Sequence, residues 1–290
     1  MTAIDINRGT TNVALPQEVS SEIWGAILEE SAFMQLARRI NMPGNGVTIQ
    51  TITGEPVADW VDETEAKPVS RHAFGKKPIT PYKLAVIEPF SNEFARDADA
   101  LYAELVRRLP YALAAKFDST IMGTSAPGTG FDVLGGCSTV SLTPPSGKTV
   151  YDQFIAAETA ISAANGVMDG IALSPAGKSK VLAAVDGNGR PLFTPGTDSN
   201  TVGNILGAPV RVAKAIYAAG SPAKLGIAGD FSDAVYGTVE GVKLAISDQA
   251  TLVDGESTIN LWQQNMFAVR AEIEVAFAVR NANEFVILTA

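Results

Sequence analysis

Residues 266–280 read MFAVRAEIEVAFAVR, and an apolar side chain stands at every second position without interruption. The apolar series runs from Phe267 to Val279, and Arg270, Glu272 and Glu274 lie between its members. A period of two is that of a β-strand with one face on a core and the other in water. At about 3.3 Å per residue this strand spans roughly 45 Å, whereas a typical strand has about five or six residues. Such a length favours an extended building block that belongs to an assembly.

The composition excludes several classes of function. The chain has 290 residues, of which 46% are hydrophobic, and its net charge is −9. An acidic chain is a poor candidate for gripping nucleic acid through its phosphates. No run of eighteen apolar residues occurs, so no membrane span is predicted, and the start of the chain lacks the pattern of a signal peptide.

Histidine and cysteine are too scarce for the common catalytic and metal sites. His72 and Cys137 are the single residues of their types. Most acid–base, nucleophilic and zinc sites need several such side chains. We therefore predict no enzymatic activity, no cofactor and no metal, although chemistry based on carboxylates alone remains open.

A long helix is predicted between residues 91 and 122. Ser91 is a suitable N-cap, and apolar residues then recur at steps of three and four up to Ile121. Pro110 lies inside this stripe and should kink the helix, because it cannot donate to the carbonyl of Val106. Gly123 ends the helix.

The N-terminal third is predicted to contain an arm and a hairpin. Residues 1–15 are unpatterned, and helical spacing extends from Pro16 to about Ile40. Strands are predicted at residues 47–53 and 82–90, with an acidic, turn-rich segment between them. A lone two-stranded hairpin is marginal in water, so a second subunit should cover it. A surface flap on its own domain is the alternative.

Residues 151–255 alternate helices and strands and are predicted to form an α/β domain. The glycine-rich stretch at 123–130 is not a phosphate loop, since no Lys follows its second Gly and it ends a helix instead of opening one.

Taken in order, several stretches resemble the major capsid proteins of tailed bacteriophages, which have the Hong Kong 97-type fold. Each stretch is weak alone, but their order and spacing are specific. They are residues 60–63, 90–98, 123 with 127–128 and 134–135, 171–175, 206–210, 228–231 and 265–272.

The resemblance implies an α+β fold with four parts. These are an N-terminal arm (1–35), an extended hairpin called the E-loop with its flanking strands (36–90), a peripheral or P domain with a long spine helix and long strands (91–149 and 257–290), and an α/β axial or A domain (150–256).

The implied function is a head protein that forms hexamers and pentamers of an icosahedral shell. The shell would enclose double-stranded DNA through non-specific contacts, assemble in the bacterial host cytoplasm and become part of the virion. A portal protein is an expected partner. Many relatives carry a long N-terminal scaffolding segment that a protease removes; because the arm here begins almost at Met1, we expect the scaffold to be a separate protein, or the chain to be already the shell form.

The resemblance also suggests particular residues. The E-loop contacts expected between subunits are Trp60, Glu63, Glu65, Lys67 and Phe74. Pro110 is a candidate hinge of the spine helix during maturation. A covalent crosslink through Lys67, Asn265 and Glu272 is left open, because the latter two resemble crosslinking positions of some relatives.

Three alternatives accompany this interpretation. An encapsulin, a bacterial nanocompartment shell, shares the fold, although residues 1–15 lack the helix that usually binds its cargo. A carboxylate-dependent hydrolase built on residues 151–255 and a decoration or adhesion protein of a virion are the others.

Overall fold

The computed structural model describes residues 24–28, 30–53, 59–62, 67, 69, 73–93, 98–185, 190, 193, 201–255 and 257–290. Two β-sheets, of five and six strands, organise these residues, and two further pairs of strands lie outside them. The α-helices of the described residues include α1 (Ala32–Leu36), α2 (Ala98–Ile121), α3 (Val150–Ala163) and α4 (Pro175–Leu182).

The five-stranded sheet is built around the long C-terminal strand, as its alternation predicts. Its strands are β1 (Arg38–Asn41), β4 (Tyr82–Ser91), β10 (Ala234–Thr238), β11 (Lys243–Ser247) and β14 (Met266–Val279). β14 is antiparallel to β4, β10 and β11, and β1 is parallel to β10. The 14 residues of β14 thus hold three partners together.

The two faces of β14 differ from the predicted pattern at one end. The apolar series from Phe267 to Val279 is buried throughout, as expected. The opposite face is polar at Arg270, Glu272 and Glu274, but Ala276 and Ala278 are buried against Met42, Ile79 and Val235. The expectation of one wet face along the whole strand was therefore wrong, because a second small core covers the last third.

The apolar face of β14 packs against α1 and α2. Phe277 makes edge-on contacts with Phe33 of α1 and Phe117 of α2, at centroid distances of 5.6 and 6.3 Å. Leu109 and Leu113 of α2 are buried in the same core. The described part of α2 begins at Ala98, and Ser91 is the last residue of β4, where it pairs with Met266. Ser91 is thus not the N-cap.

The N-terminal helical segment ends earlier than its pattern predicts. Ser31 is extended and accepts a hydrogen bond from the N–H of Met34, so a new short helix, α1, begins there. Residues 38–41 form β1 instead of continuing a helix to Ile40. The predicted arm before residue 24 lies outside the described residues.

The six-stranded sheet has α3 and α4 packed against it. Its order is β5 (Ser138–Ser141), β15 (Phe285–Thr289), β9 (Lys224–Gly229), β6 (Gly170–Leu173), β8 (Ala208–Val212) and β7 (Thr201–Ile205). Thr149 and Asp152 form a capping box at the start of α3. Ser174 caps α4, with Pro175 in its first turn.

Strand pairing does not follow the order of the chain. β15 near the C-terminus pairs with β9, while β10 and β11 pair with β14. Each sheet therefore takes strands from both sides of residue 256, where the resemblance placed a domain boundary. The predicted boundaries remain a prediction.

The first pair of strands outside the sheets corrects the predicted hairpin. β2 (Val47–Thr53) pairs with β3 (Ala73–Ile79), whereas β4 belongs to the five-stranded sheet. The hairpin therefore closes one strand earlier than expected. The second pair is β12 (Thr251–Asp254) with β13 (Ser257–Asn260).

Candidate assembly surface

The hairpin β2–β3 is a separate two-stranded sheet whose base packs against the five-stranded sheet. Its register runs from Val47 opposite Ile79 to Thr53 opposite Ala73. Among the described residues neither strand pairs with a third, so the outer edge of each is unpaired. Unpaired edges are templates for another chain, and two strands alone are marginally stable. The hairpin therefore has the features of a segment that is stabilised by contact with another subunit.

The base of the hairpin is held firmly. The Lys77 ammonium lies 2.5 Å from a carboxylate oxygen of Asp132 and donates to the carbonyl of Val279 at 2.6 Å. The same Asp132 oxygen accepts from the Val279 N–H at 2.8 Å. Ile79 is buried in the small core described above. The hairpin is thus fixed at its base to the rest of the chain.

A glycine allows the strands to approach each other at this base. Gly46 has φ of +82°, and a Cβ on it would collide with the carbonyl oxygen of Ile79. A side chain at this position would therefore strain the hairpin and displace its second strand.

The far end of the hairpin presents apolar side chains to solvent. Trp60 is 99% exposed and Val69 is 86% exposed. Asp59 and Asp62 flank Trp60 and are exposed as well, as is Lys67. Contiguous exposed apolar patches mark binding surfaces, and Trp is enriched at the energetic centres of interfaces. Glu63 and Glu65 lie outside the described residues; Phe74 is in β3, but its side chain is not described.

The polar face of β14 carries a cross-strand ion network. Glu272 lies 3.1 Å from Arg270 and 3.9 Å from Lys83 of β4, which is also 3.7 Å from Glu274. Lys243 of β11 stands opposite Glu272, and neighbouring carboxylates, first of all Glu240, raise the pKa of that lysine. This is the ordinary cross-strand pairing expected from the sequence.

The three residues of the suggested crosslink are not brought together within one chain. Asn265 stands in a left-handed turn before β14, where its side-chain oxygen accepts from the amide of Asn92 at 2.9 Å. Glu272 is seven residues further along the strand, which corresponds to about 23 Å. A site shared by Lys67, Asn265 and Glu272 would need different subunits.

The spine helix contains one group that the sequence analysis missed. Asp118 of α2 is completely buried, accepts from the Ser31 hydroxyl at 2.5 Å and accepts from the Ala32 N–H at 2.9 Å. Burial raises its pKa to about 7, although these hydrogen bonds lower it. The available signal was a carboxylate on the apolar stripe, between Ala114 and Ile121.

The remaining predicted residues have ordinary surroundings. Pro110 is buried in the middle of α2, beside Leu109. Cys137 contacts the carbonyl of Ala282, and burial raises its pKa to about 11. His72 lies outside the described residues. Within the part of the chain that the structure describes, no three potential metal ligands cluster, and no helix is long and apolar enough to cross a membrane.

The hairpin, the long helix α2 and the long strand β14 are parts that the resemblance implied. A match to a protein family decides which family the chain belongs to. The model of the family described as "Phage capsid family" matches residues 11–290. This chain belongs to the phage capsid family.

Relatives of this capsid-family chain come from mycobacteriophages. It is 30% identical to "Probable major capsid protein gp17" of Mycobacterium phage D29, over 95% of this chain and 89% of the relative. It is 31% identical to the protein of the same description from Mycobacterium phage L5, with the same coverage.

Solved structures agree in fold. A structure from Mycobacterium phage Adephagia has a TM-score of 0.72 at 19% identity, and the match covers 89% of each chain. The capsid of an empty GTA particle has a TM-score of 0.63 at 16% identity, over 90% of this chain and 89% of the other. The Hong Kong 97-type fold that the resemblance implied is confirmed.

Proposed function

We propose that this chain is the major capsid protein of a tailed double-stranded DNA phage or prophage, and that it self-assembles into hexamers and pentamers of an icosahedral shell. The observation that carries the proposal is the separate hairpin β2–β3 on a chain of the phage capsid family: among the described residues it pairs with no third strand, and Trp60 is exposed. The named relatives favour this function over an encapsulin shell.

The mechanism is the burial of the hairpin on a neighbouring subunit. The strand edges of the hairpin and the exposed apolar side chains Trp60 and Val69 would leave water there, and many such contacts would close the shell. The shell would be part of the virion after assembly in the host cytoplasm. Enzymatic turnover has no place in this mechanism.

We propose three further partners. A scaffolding protein would guide the curvature, a portal protein would occupy one vertex, and packaged DNA would touch the inner surface without specificity. The net charge of −9 supports the last point, because an acidic lining does not hold its cargo tightly.

Electron microscopy of the purified protein at rising concentration tests the proposal. We expect closed icosahedral shells. A protein that stays monomeric, with its hairpin protected from protease, would contradict the proposal.

A variant at the tip tests the role of the hairpin. Because Trp60 is 99% exposed, Trp60→Ala should leave the circular dichroism spectrum and melting of the subunit unchanged. It should nevertheless raise the concentration required for shells. Trp60→Phe is the matched control, since it keeps an aromatic anchor and should assemble nearly as the wild type does. Equal assembly of all three would refute a role for this side chain.

A further inference from the structure

A pocket of about 360 Å³ lies beside the base of the hairpin. Its apolar floor is formed by Ile49, Ile79, Val235 and Ala278. These residues come from β2, β3, β10 and β14, so the pocket exists only where the hairpin meets the sheet. Its size is within the range of cavities that bury an aromatic ligand.

The rim of this pocket is positively charged on a chain that is acidic overall. Arg38 and Arg280 are both exposed there. The Arg280 guanidinium lies 3.8 Å from Asp233, and its side chain remains 67% exposed. Lys77 also lines the pocket, but its ammonium is engaged with Asp132. The two arginines are therefore placed to meet a further carboxylate.

The tip of the hairpin has the complementary chemistry. Trp60 provides a large apolar ring, and the exposed Asp59 and Asp62 precede and follow it in the chain; the Asp59 carboxylate accepts from the Trp60 N–H at 2.9 Å. In its own chain the ring is 99% exposed, so it does not occupy its own pocket. An aromatic anchor in a pocket beside arginines is the usual composition of an energetic centre in protein interfaces.

We propose that this pocket receives residues 59–62 of a neighbouring copy of the chain. Trp60 of that copy rests on the apolar floor, and Asp62 pairs with Arg280 and Arg38. This inference rests on the proposed capsid function and adds where the hairpin docks.

A second groove is the rival receiver, and its charges argue against it. It lies between β4 and α2, is lined by Val86, Ile87 and Tyr111, and is larger, at about 650 Å³. Glu30 and Glu88 line it together with Arg108 and Lys214, so its charges balance. The first pocket has Arg38, Lys77 and Arg280 against Asp233 and is the more positive of the two. Arg108 lies 3.6 Å from Glu88, much as Arg280 lies 3.8 Å from Asp233, so the net charge of the lining residues is what separates the two sites.

Charge exchange tests the pairing. Arg280→Asp and Asp62→Arg should each raise the concentration for half-maximal shell assembly by about tenfold or more, because each places like charges together. The double variant should return to within about threefold of the wild type. No rescue in the double variant, or normal assembly of both single variants, would overturn the inference.

Site-directed crosslinking provides a second readout. In a Cys137→Ala background, Asp62→Cys combined with Arg280→Cys should form intersubunit bonds with a short bismaleimide. The matched control combines Asp62→Cys with Arg108→Cys, which tests the rival groove. We expect at least about fivefold more linked dimer from the first pair. Equal yields, or a higher yield from the control, would refute docking in this pocket.

The two proposals fail in different ways. If the wild-type chain forms no shells, the capsid function is wrong. If the wild-type chain forms shells but the exchanged charges have no effect, the docking site alone is wrong.

Discussion

Asp118 joins the N-terminal helical segment to the spine helix, and replacing it by Asn tests this joint. The carboxylate accepts from the Ser31 hydroxyl and from the first N–H of α1 while it is fully buried. Asn keeps an acceptor oxygen of the same shape but carries no charge. We therefore expect Asp118→Asn to fold, and to differ from the wild type chiefly in how its stability depends on pH.

The size of the effect follows from the pKa. Burial raises the pKa of Asp118 to about 7, whereas an unfolded chain has about 3.9. The native state therefore binds the Asp118 proton more tightly than the unfolded state. The resulting contribution to the free energy of unfolding is fully present below about pH 4 and is lost as the pH rises through 7. Between pH 5 and pH 8 the wild type should lose about 2–3 kcal/mol through this group.

The assay is urea unfolding of the unassembled subunit by circular dichroism, at pH 5 and at pH 8. Other titrating groups contribute equally to both proteins, so the informative quantity is the change in their difference between the two pH values. The free energy of unfolding of Asp118→Asn, relative to that of the wild type, should rise by about 2–3 kcal/mol from pH 5 to pH 8. Parallel pH dependence of the two proteins would refute an ionising, buried Asp118.

A matched variant separates charge from hydrogen bonding. Asp118→Ala also removes the charge, but it leaves the Ser31 hydroxyl and the Ala32 N–H without this acceptor. Each buried group left unpaired costs about 1–3 kcal/mol. We expect Asp118→Ala to be less stable than Asp118→Asn at both pH values, by a similar amount.

Four other predictions concern the hairpin, the helix and the reactive side chains. Lys77→Met should loosen the hairpin base by about 1–3 kcal/mol, because it removes a charge-assisted contact, and limited proteolysis within residues 59–69 should become several-fold faster; an unchanged rate would contradict the anchoring. Pro110→Ala should alter the kinetics or final geometry of shell expansion, followed by cryo-electron microscopy, and unchanged expansion would exclude the hinge. Cys137, with a pKa of about 11, should react at pH 8 roughly 200-fold more slowly in the native than in the unfolded protein, measured with an aromatic disulfide reagent. Boiling shells in detergent tests the crosslink through Lys67 and Asn265: we expect a single monomer band, since Glu272 is engaged with Arg270 and Lys83, and a ladder abolished by Lys67→Ala would show the opposite.

The hairpin residues proposed for contact were suggested by the family resemblance, whereas the proposed receiving pocket could not be predicted from the sequence. Trp60 is exposed, and its contact with a neighbouring subunit stays a prediction. The pocket has walls from residues near positions 49, 79, 235 and 278. No pattern in the chain links these positions, since they meet only through strand pairing.

Periodicity is local, and the features that depend on it were apparent in the chain itself, whereas the N-cap predicted at Ser91 was wrong because that residue pairs in β4. The alternation of β14 and the apolar stripe of α2 needed no knowledge of distant residues. Pairing partners are different in kind, because any two strands of suitable pattern can form a ladder. The partner of β2 is β3 and not β4, and β15 joins β9, because the competing pairings differ only in the packing that surrounds them. The same reason explains Ala276 and Ala278. Alanine is found on both buried and exposed faces, so the hydrophobic pattern of the strand does not predict whether it is buried. These two side chains are buried because the base of the hairpin packs over them.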